Sequence, residues 1–227
     1  MDRLSRFAPL SRFAPLSGLT TAVLFAVGNA IWAIDQPERG AGTEEIASFY
    51  EESSTEIVIG GTLSIVSMLF LVWFGAVLRD RLAEAEGSDR SGLPLAAFAG
   101  TVLTAAVGLG AESINMAGAL SAEDGQLTGD TAQVYFDVSY ALGAPAAGVA
   151  IAAIAAPIAL VALRSRRLIP RWGAWVALGL AVVMLTPVML TPAYGLPFAV
   201  ALFLLGWLSI RLHRAVPAPR GAEVPLL

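Results

Sequence analysis

Six apolar segments divide this chain, and each is long enough to cross a hydrocarbon core of about 30 Å at 1.5 Å per residue. They run from about 17 to 34, 57 to 78, 93 to 120, 134 to 163, 172 to 190 and 196 to 212. A bilayer core offers backbone groups no water to bond to, so segments of this kind must be helices. Composition agrees: 56% of residues are hydrophobic and 14% charged, against about 25% charged in ordinary soluble domains. A soluble chain this apolar would lack the polar surface to cover itself.

Charges between the segments alternate in sign. Arg3, Arg6 and Arg12 precede the first segment, and the loop after it is acidic, with Asp35, Glu38, Glu44, Glu45, Glu51 and Glu52 against Arg39 alone. Arg79, Arg81 and Arg90 follow segment 2; Glu123, Asp124 and Asp130 follow segment 3. Arg164, Arg166, Arg167 and Arg171 fill the fourth connection, the fifth is uncharged, and Arg211, Arg214 and Arg220 lie at the end. Arginine on every second connection is the positive-inside pattern of an even number of spans. The predicted fold class is therefore all-α: a polytopic membrane protein, a bundle of six transmembrane helices with both termini cytoplasmic. Residues 1–16 read as a cytoplasmic N-terminal segment, 17–213 as the transmembrane domain and 214–227 as a disordered tail. Reading segment 1 as a cleaved signal peptide would leave five spans.

Several chemistries are excluded by composition. There is no Cys, so disulfides and thiolate metal sites are out. All 14 basic residues are Arg, so no lysine can form a Schiff base. The one His, His213, lies between Arg211 and Arg214 at the end of segment 6, where it reads as solvated. There is no HExxH, GxSxG or Walker loop. The run Gly108-Leu109-Gly110-Ala111-Glu112 is near the GxGD of intramembrane aspartyl proteases, but it has an extra residue and Glu for Asp. No catalytic role and no cofactor are implied.

The polar residues inside the apolar segments carry more information. An ionisable group at a helix centre costs roughly 2.5–3.5 kcal/mol on insertion scales, so such groups usually face a bundle interior. Thr101, Thr104, Gly108, Glu112 and Asn115 share one face of segment 3. Gln133, Asp137, Tyr140, Ala144, Gly148 and Ala152 share one of segment 4; Glu56, Gly60, Ser64 and Ser67 one of segment 2; Thr21, Phe25, Asn29 and Trp32 one of segment 1. Counting from the Arg clusters puts Asn29, Glu56, Glu112, Asn115, Asp137 and Tyr140 at one outer level, with no Arg among them. Two readings are open. These six residues form an outward-facing polar cavity for a small solute or cation, or the carboxylates simply begin helices, where they suit the positive end of the helix dipole. The second suits Glu56 and Asp137 better than Glu112.

Other features have structural readings. The spacings Ala22-xxx-Ala26-xxx-Ala30 and Ala144-xxx-Gly148-xxx-Ala152 predict close helix packing. Pro145 and Pro157 predict kinks in segment 4, Pro187 and Pro192 in segment 5. Residues 5–16 repeat SRFAPL twice, readable as an interfacial anchor or as a duplication in a tolerant terminus.

Three short motifs carry a resemblance: Phe49-Tyr50-Glu51; Leu71-Val72-Trp73-Phe74-Gly75 followed by Leu78-Arg79-Asp80-Arg81-Leu82; and Leu168-Ile169-Pro170-Arg171-Trp172 with Trp175. With them, the whole chain resembles a group of uncharacterised six-helix membrane proteins of high-GC bacteria, a domain of unknown function. The resemblance implies the six-helix topology and no activity. In size, helix number and the Ala22/Ala26/Ala30 spacing the chain is also similar to vitamin-binding subunits of energy-coupling-factor transporters. The function expected is a non-enzymatic protein of the bacterial inner membrane, binding or transporting a small solute or cation through a cavity among helices 1–4. The alternative is a structural or accessory subunit. The partners implied are the lipid bilayer, the solute or cation, and a membrane protein partner or second copy, with no nucleic acid.

Overall fold

The computed structural model describes residues 13–87, 91–165 and 168–215. Arg3, Arg6, Arg12, Arg90, Arg166, Arg167 and Arg220, the first SRFAPL copy and the tail from 216 lie outside the described residues. The described residues form helices and turns, with no strand among them. The helices are α1 Ser17–Trp32, α2 Thr43–Glu52, α3 Ser54–Glu86, α4 Leu93–Glu123, α5 Gly129–Ala141, α6 Ala147–Ser165, α7 Arg171–Met184 and α8 Gly195–Arg214.

Among the described residues, five helical stretches are long and apolar enough to span a membrane: α1 with the turn before it, α3, α4, the combined α5–α6 and α8. The expected fifth span, 172–190, falls short. Its helix α7 has 14 residues and ends at Met184. Hydropathy stays high through Leu190, but Pro187 removes a backbone donor and drives Thr186 into an extended conformation. Two short 3-10 turns, Pro187–Leu190 and Pro192–Tyr194, complete the connection.

Around the bundle, α1 packs on α3, α3 on α4, α4 on α6 and α6 on α7, while α8 returns to α1. Small residues set the spacing. A Cβ on Gly28 of α1 would lie 2.5 Å from the carbonyl oxygen of Gly60 on α3, and one on Gly100 of α4 would lie 2.8 Å from the Ala153 carbonyl carbon on α6. Ala144, Gly148 and Ala152 are buried as their spacing predicts, Gly148 against the backbone of Met184. The other alanine stripe behaves differently. Ala22 is buried, but Ala26 and Ala30 are exposed.

The two ends of the bundle differ in chemistry. At one, Leu78, Leu82, Ile169 and Leu212 share an apolar cluster beside Arg79, Arg81, Arg171 and Arg211. Residues 14–16 of the second SRFAPL copy dock here: Pro15 is buried, and the Ser209 hydroxyl donates to its carbonyl while accepting from Leu19 N at 2.9 Å. Of the described part of that copy, Phe13 is exposed and Pro15 is packed. At the other end lie the acidic connections. There α2 forms an unforeseen helix, with Ile46, Phe49 and Tyr50 packed on Trp32, Ile57, Ala119 and Phe136.

Proline acts unevenly. Near Pro145 the helix widens into a π turn, Leu142–Ala146, between α5 and α6. Such a turn absorbs the missing donor and the ring's clash with the preceding turn. Pro157 lies inside α6 without ending it.

Candidate functional site

A cavity of about 640 Å³ lies between α1, α3 and α4 on one side and α5 to α8 on the other. Of the six residues singled out from the sequence, Asn29, Glu112, Asn115 and Tyr140 line it. Their helices deliver them from different directions. Asn29 comes from the last turns of α1, Glu112 and Asn115 from one face of α4, and Tyr140 from the turn before the π segment.

Glu56 and Asp137 stand apart. Both are exposed. Glu56 lines a smaller acidic hollow with Asp35 and Glu52, and Asp137 accepts a hydrogen bond from Gln133 Nε2 at 3.0 Å on its own helix. Glu56 sits in the first turn of α3, where a carboxylate suits the helix dipole, whereas Asp137 is two turns past the start of α5, so the sequence reading of it as a helix-start carboxylate does not hold. On α3, Gly60, Ser64 and Ser67, which share a face with Glu56, are buried outside the cavity lining, and on α5 the lining starts at Ser139 and Tyr140, beyond Asp137. Among the described residues no group of three or more His, Cys, Asp or Glu could hold a metal ion.

Hydrogen bonding in the cavity wall is incomplete. Asn29 Nδ2 donates to Phe25 O at 3.0 Å and to Ser64 Oγ at 3.2 Å. Ser64 in turn faces the Glu112 carboxyl. Glu112 is 6% exposed, and its Oε2 has no hydrogen-bond partner. Trp32 is 9% exposed, and its indole N–H is likewise unpaired. Both residues line the cavity. Buried polar atoms are normally satisfied, and an unmet one costs about 1–3 kcal/mol. An acceptor on α4 and a donor on α1 are thus left unmet beside the cavity.

Comparison with protein-family models, curated proteins and solved structures gave no match.

Three features of the site were not anticipated. Tyr50, from α2, donates to Asn115 Oδ1 at 3.0 Å and so positions a cavity residue from outside the long helices. Its signal was present in the sequence as the i, i+3, i+4 spacing of Ile46, Phe49 and Tyr50. Arg39 also reaches the site. Its guanidinium sits 5.1 Å from the Tyr140 ring centroid and donates to Leu190 O at 3.0 Å. Tyr140 meets Tyr194 edge-on at 5.4 Å. An arginine therefore borders the level expected to hold none. Finally, α7 and α8 supply much of the wall, through Ala177, Leu180, Phe198 and Leu205 among others, so the cavity is not confined to the first four spans.

Glu112 is the one carboxylate among the described residues that lines the cavity, and no Asp, His, Lys or Arg lines it with Glu112. A carboxylate in a largely apolar chamber can accept hydrogen bonds from a donor.

Proposed function

We propose that this chain is a six-span protein of the bacterial inner membrane that binds a small molecule inside its central cavity, with Glu112 as the recognition group. The observation that carries this is the unpartnered Glu112 Oε2, held in a buried wall beside a cavity large enough for a ligand. Ligand pockets typically occupy about 300–1,000 Å³ and combine apolar walls with a few placed polar groups.

The topology is part of the proposal. We read α7 as a sixth crossing. It starts at Arg171, beside Ile169 and the arginine-bearing end, and the chain after it reaches Tyr194 and the Arg39–Leu190 contact beside the acidic loop. Its 14 residues rise about 21 Å, and the 3-10 turns supply the remainder. With the arginine-bearing end cytoplasmic, both termini are inside and Glu112 lies toward the outer face.

Thermal unfolding of the purified chain across a panel of solutes, lipids and cations tests the binding role. A ligand should raise the melting temperature of wild type and lose that effect in Glu112→Gln. Identical melting of both proteins across the whole panel would remove the basis for a binding function.

A further inference from the structure

The shape and chemistry of the cavity narrow the ligand. We infer that it is a single-chain amphiphile, taken from the outer leaflet through a gap between α1 and α8, with a hydrogen-bond-donating head at Glu112 and its tail along the inner half. This rests on the binding role proposed above.

The cavity is long. On α8 its lining runs from Gly195 to Leu208, and on α1 from Thr21 to Trp32, which at 1.5 Å per residue are depths of about 20 and 17 Å. Its volume spread over that depth gives a mean cross-section of about 35 Å². A compact hydrated solute would leave most of such a channel empty, and a chain fills it.

Polarity changes along the length. The outer part has Asn29, Glu112, Asn115 and Tyr140; the inner part is walled by Leu71, Phe74, Ile158, Leu205 and Leu208. Thr21, Thr101 and Thr104 also line it, but each hydroxyl donates to a carbonyl of its own helix, at 2.9, 2.7 and 2.8 Å. Their donors are committed. The uncommitted groups, Glu112 Oε2 and the Trp32 N–H, belong to residues flanking one turn of α3: Glu112 lies against Gly61 and Trp32 against Gly60. A head that both donates and accepts, such as an amine or a hydroxyl on a polar head, answers both.

The gap supplies the way in. Helices α1 and α8 touch at their inner ends, through Leu19, Ser209 and Gly206. Farther out they separate. Ala26, Ala30 and Ala33 of the α1 side and Gly195 and Ala199 of α8 line the cavity while remaining exposed. Small side chains there leave a slot that faces bilayer in the six-span topology. The alanine stripe of α1 thereby borders an opening instead of a helix contact.

The test uses the full chain in phosphatidylcholine nanodiscs, titrated with dodecylamine, dodecanol, dodecane and propylamine while its melting temperature is followed. The long-chain amine and alcohol should each give a saturable rise, and dodecane and propylamine none. Glu112→Gln should weaken the amine at least tenfold. Ala199→Trp, which fills the slot and leaves Glu112 in place, should abolish the response while the protein melts as wild type without ligand. That second variant keeps the test valid if Glu112→Gln folds poorly. Equal responses to dodecane and dodecylamine would overturn the inference, since the chain alone would then be bound. A response to propylamine matching dodecylamine would also overturn it, leaving binding at Glu112 intact but without a tail. Silence from all four probes together with a response to some other solute overturns the amphiphile and leaves the binding role standing. Silence toward every ligand removes the binding function too.

Discussion

The Tyr50 hydroxyl donates to Asn115 Oδ1 at 3.0 Å across 65 residues of sequence, joining a short helix at the acidic end to the wall of the cavity. Tyr50→Phe removes the donor and leaves a buried amide oxygen unpaired, a cost of about 1–3 kcal/mol. Chemical unfolding in detergent should show that loss. A further loss of ligand response, if Asn115 turns toward the vacated space, would mark Tyr50 as a positioning residue.

The same phenol predicts an alkaline limb. Burial, the largest influence, pushes its pKa up beyond the ordinary value, against a smaller lowering by a hydrogen bond with Ser139. The folded state then holds the proton more tightly than the unfolded one. The resulting stability is fully present below about pH 10, the ordinary phenol value, and is lost as pH rises above it. Tyr50→Phe should flatten that limb in a melting-temperature series against pH.

Hydropathy made the five long apolar helices legible, because it rests on many residues acting alike. Single-residue effects were harder to read. The shortfall of α7 arises from Pro187, which hydropathy counts as one residue in an apolar run. Helix α2 was hidden by the glutamates around Ile46, Phe49 and Tyr50. The site was legible by half: Asn29, Glu112, Asn115 and Tyr140 meet in one cavity, but Glu56 and Asp137 do not, because shared spacing says which residues are neighbours and not where along a helix a cavity begins.

Two glycines should respond differently to the same added methyl. At Gly28 a Cβ meets the Gly60 carbonyl oxygen at 2.5 Å, and backbone cannot step aside cheaply. At Gly108 it meets the terminal methyl of Met68 at 2.8 Å, the far end of a flexible side chain. Gly28→Ala should cost about 1–3 kcal/mol through overpacking, and Gly108→Ala clearly less. Thermal melting of the two variants side by side decides it.

Ser209 ties α8 to the start of α1 by accepting from Leu19 N and donating to Pro15 O. Ser209→Ala should free that junction. Hydrogen exchange across residues 13–19 should speed up, with little change in α4, whose backbone bonds do not involve it.

The most direct test of the account is the ligand-free stability of Glu112→Met. A carboxyl kept for recognition, with Oε2 unpaired in the resting protein, is a cost to the fold. Replacing a buried polar group by an apolar one of similar shape is often neutral or stabilising. Without ligand, Glu112→Met should therefore melt at or above the wild-type temperature while losing every ligand-induced rise. A variant that melts well below wild type yet still responds to ligand would show that Glu112 serves packing, and would contradict the assignment of the cavity as its site of recognition.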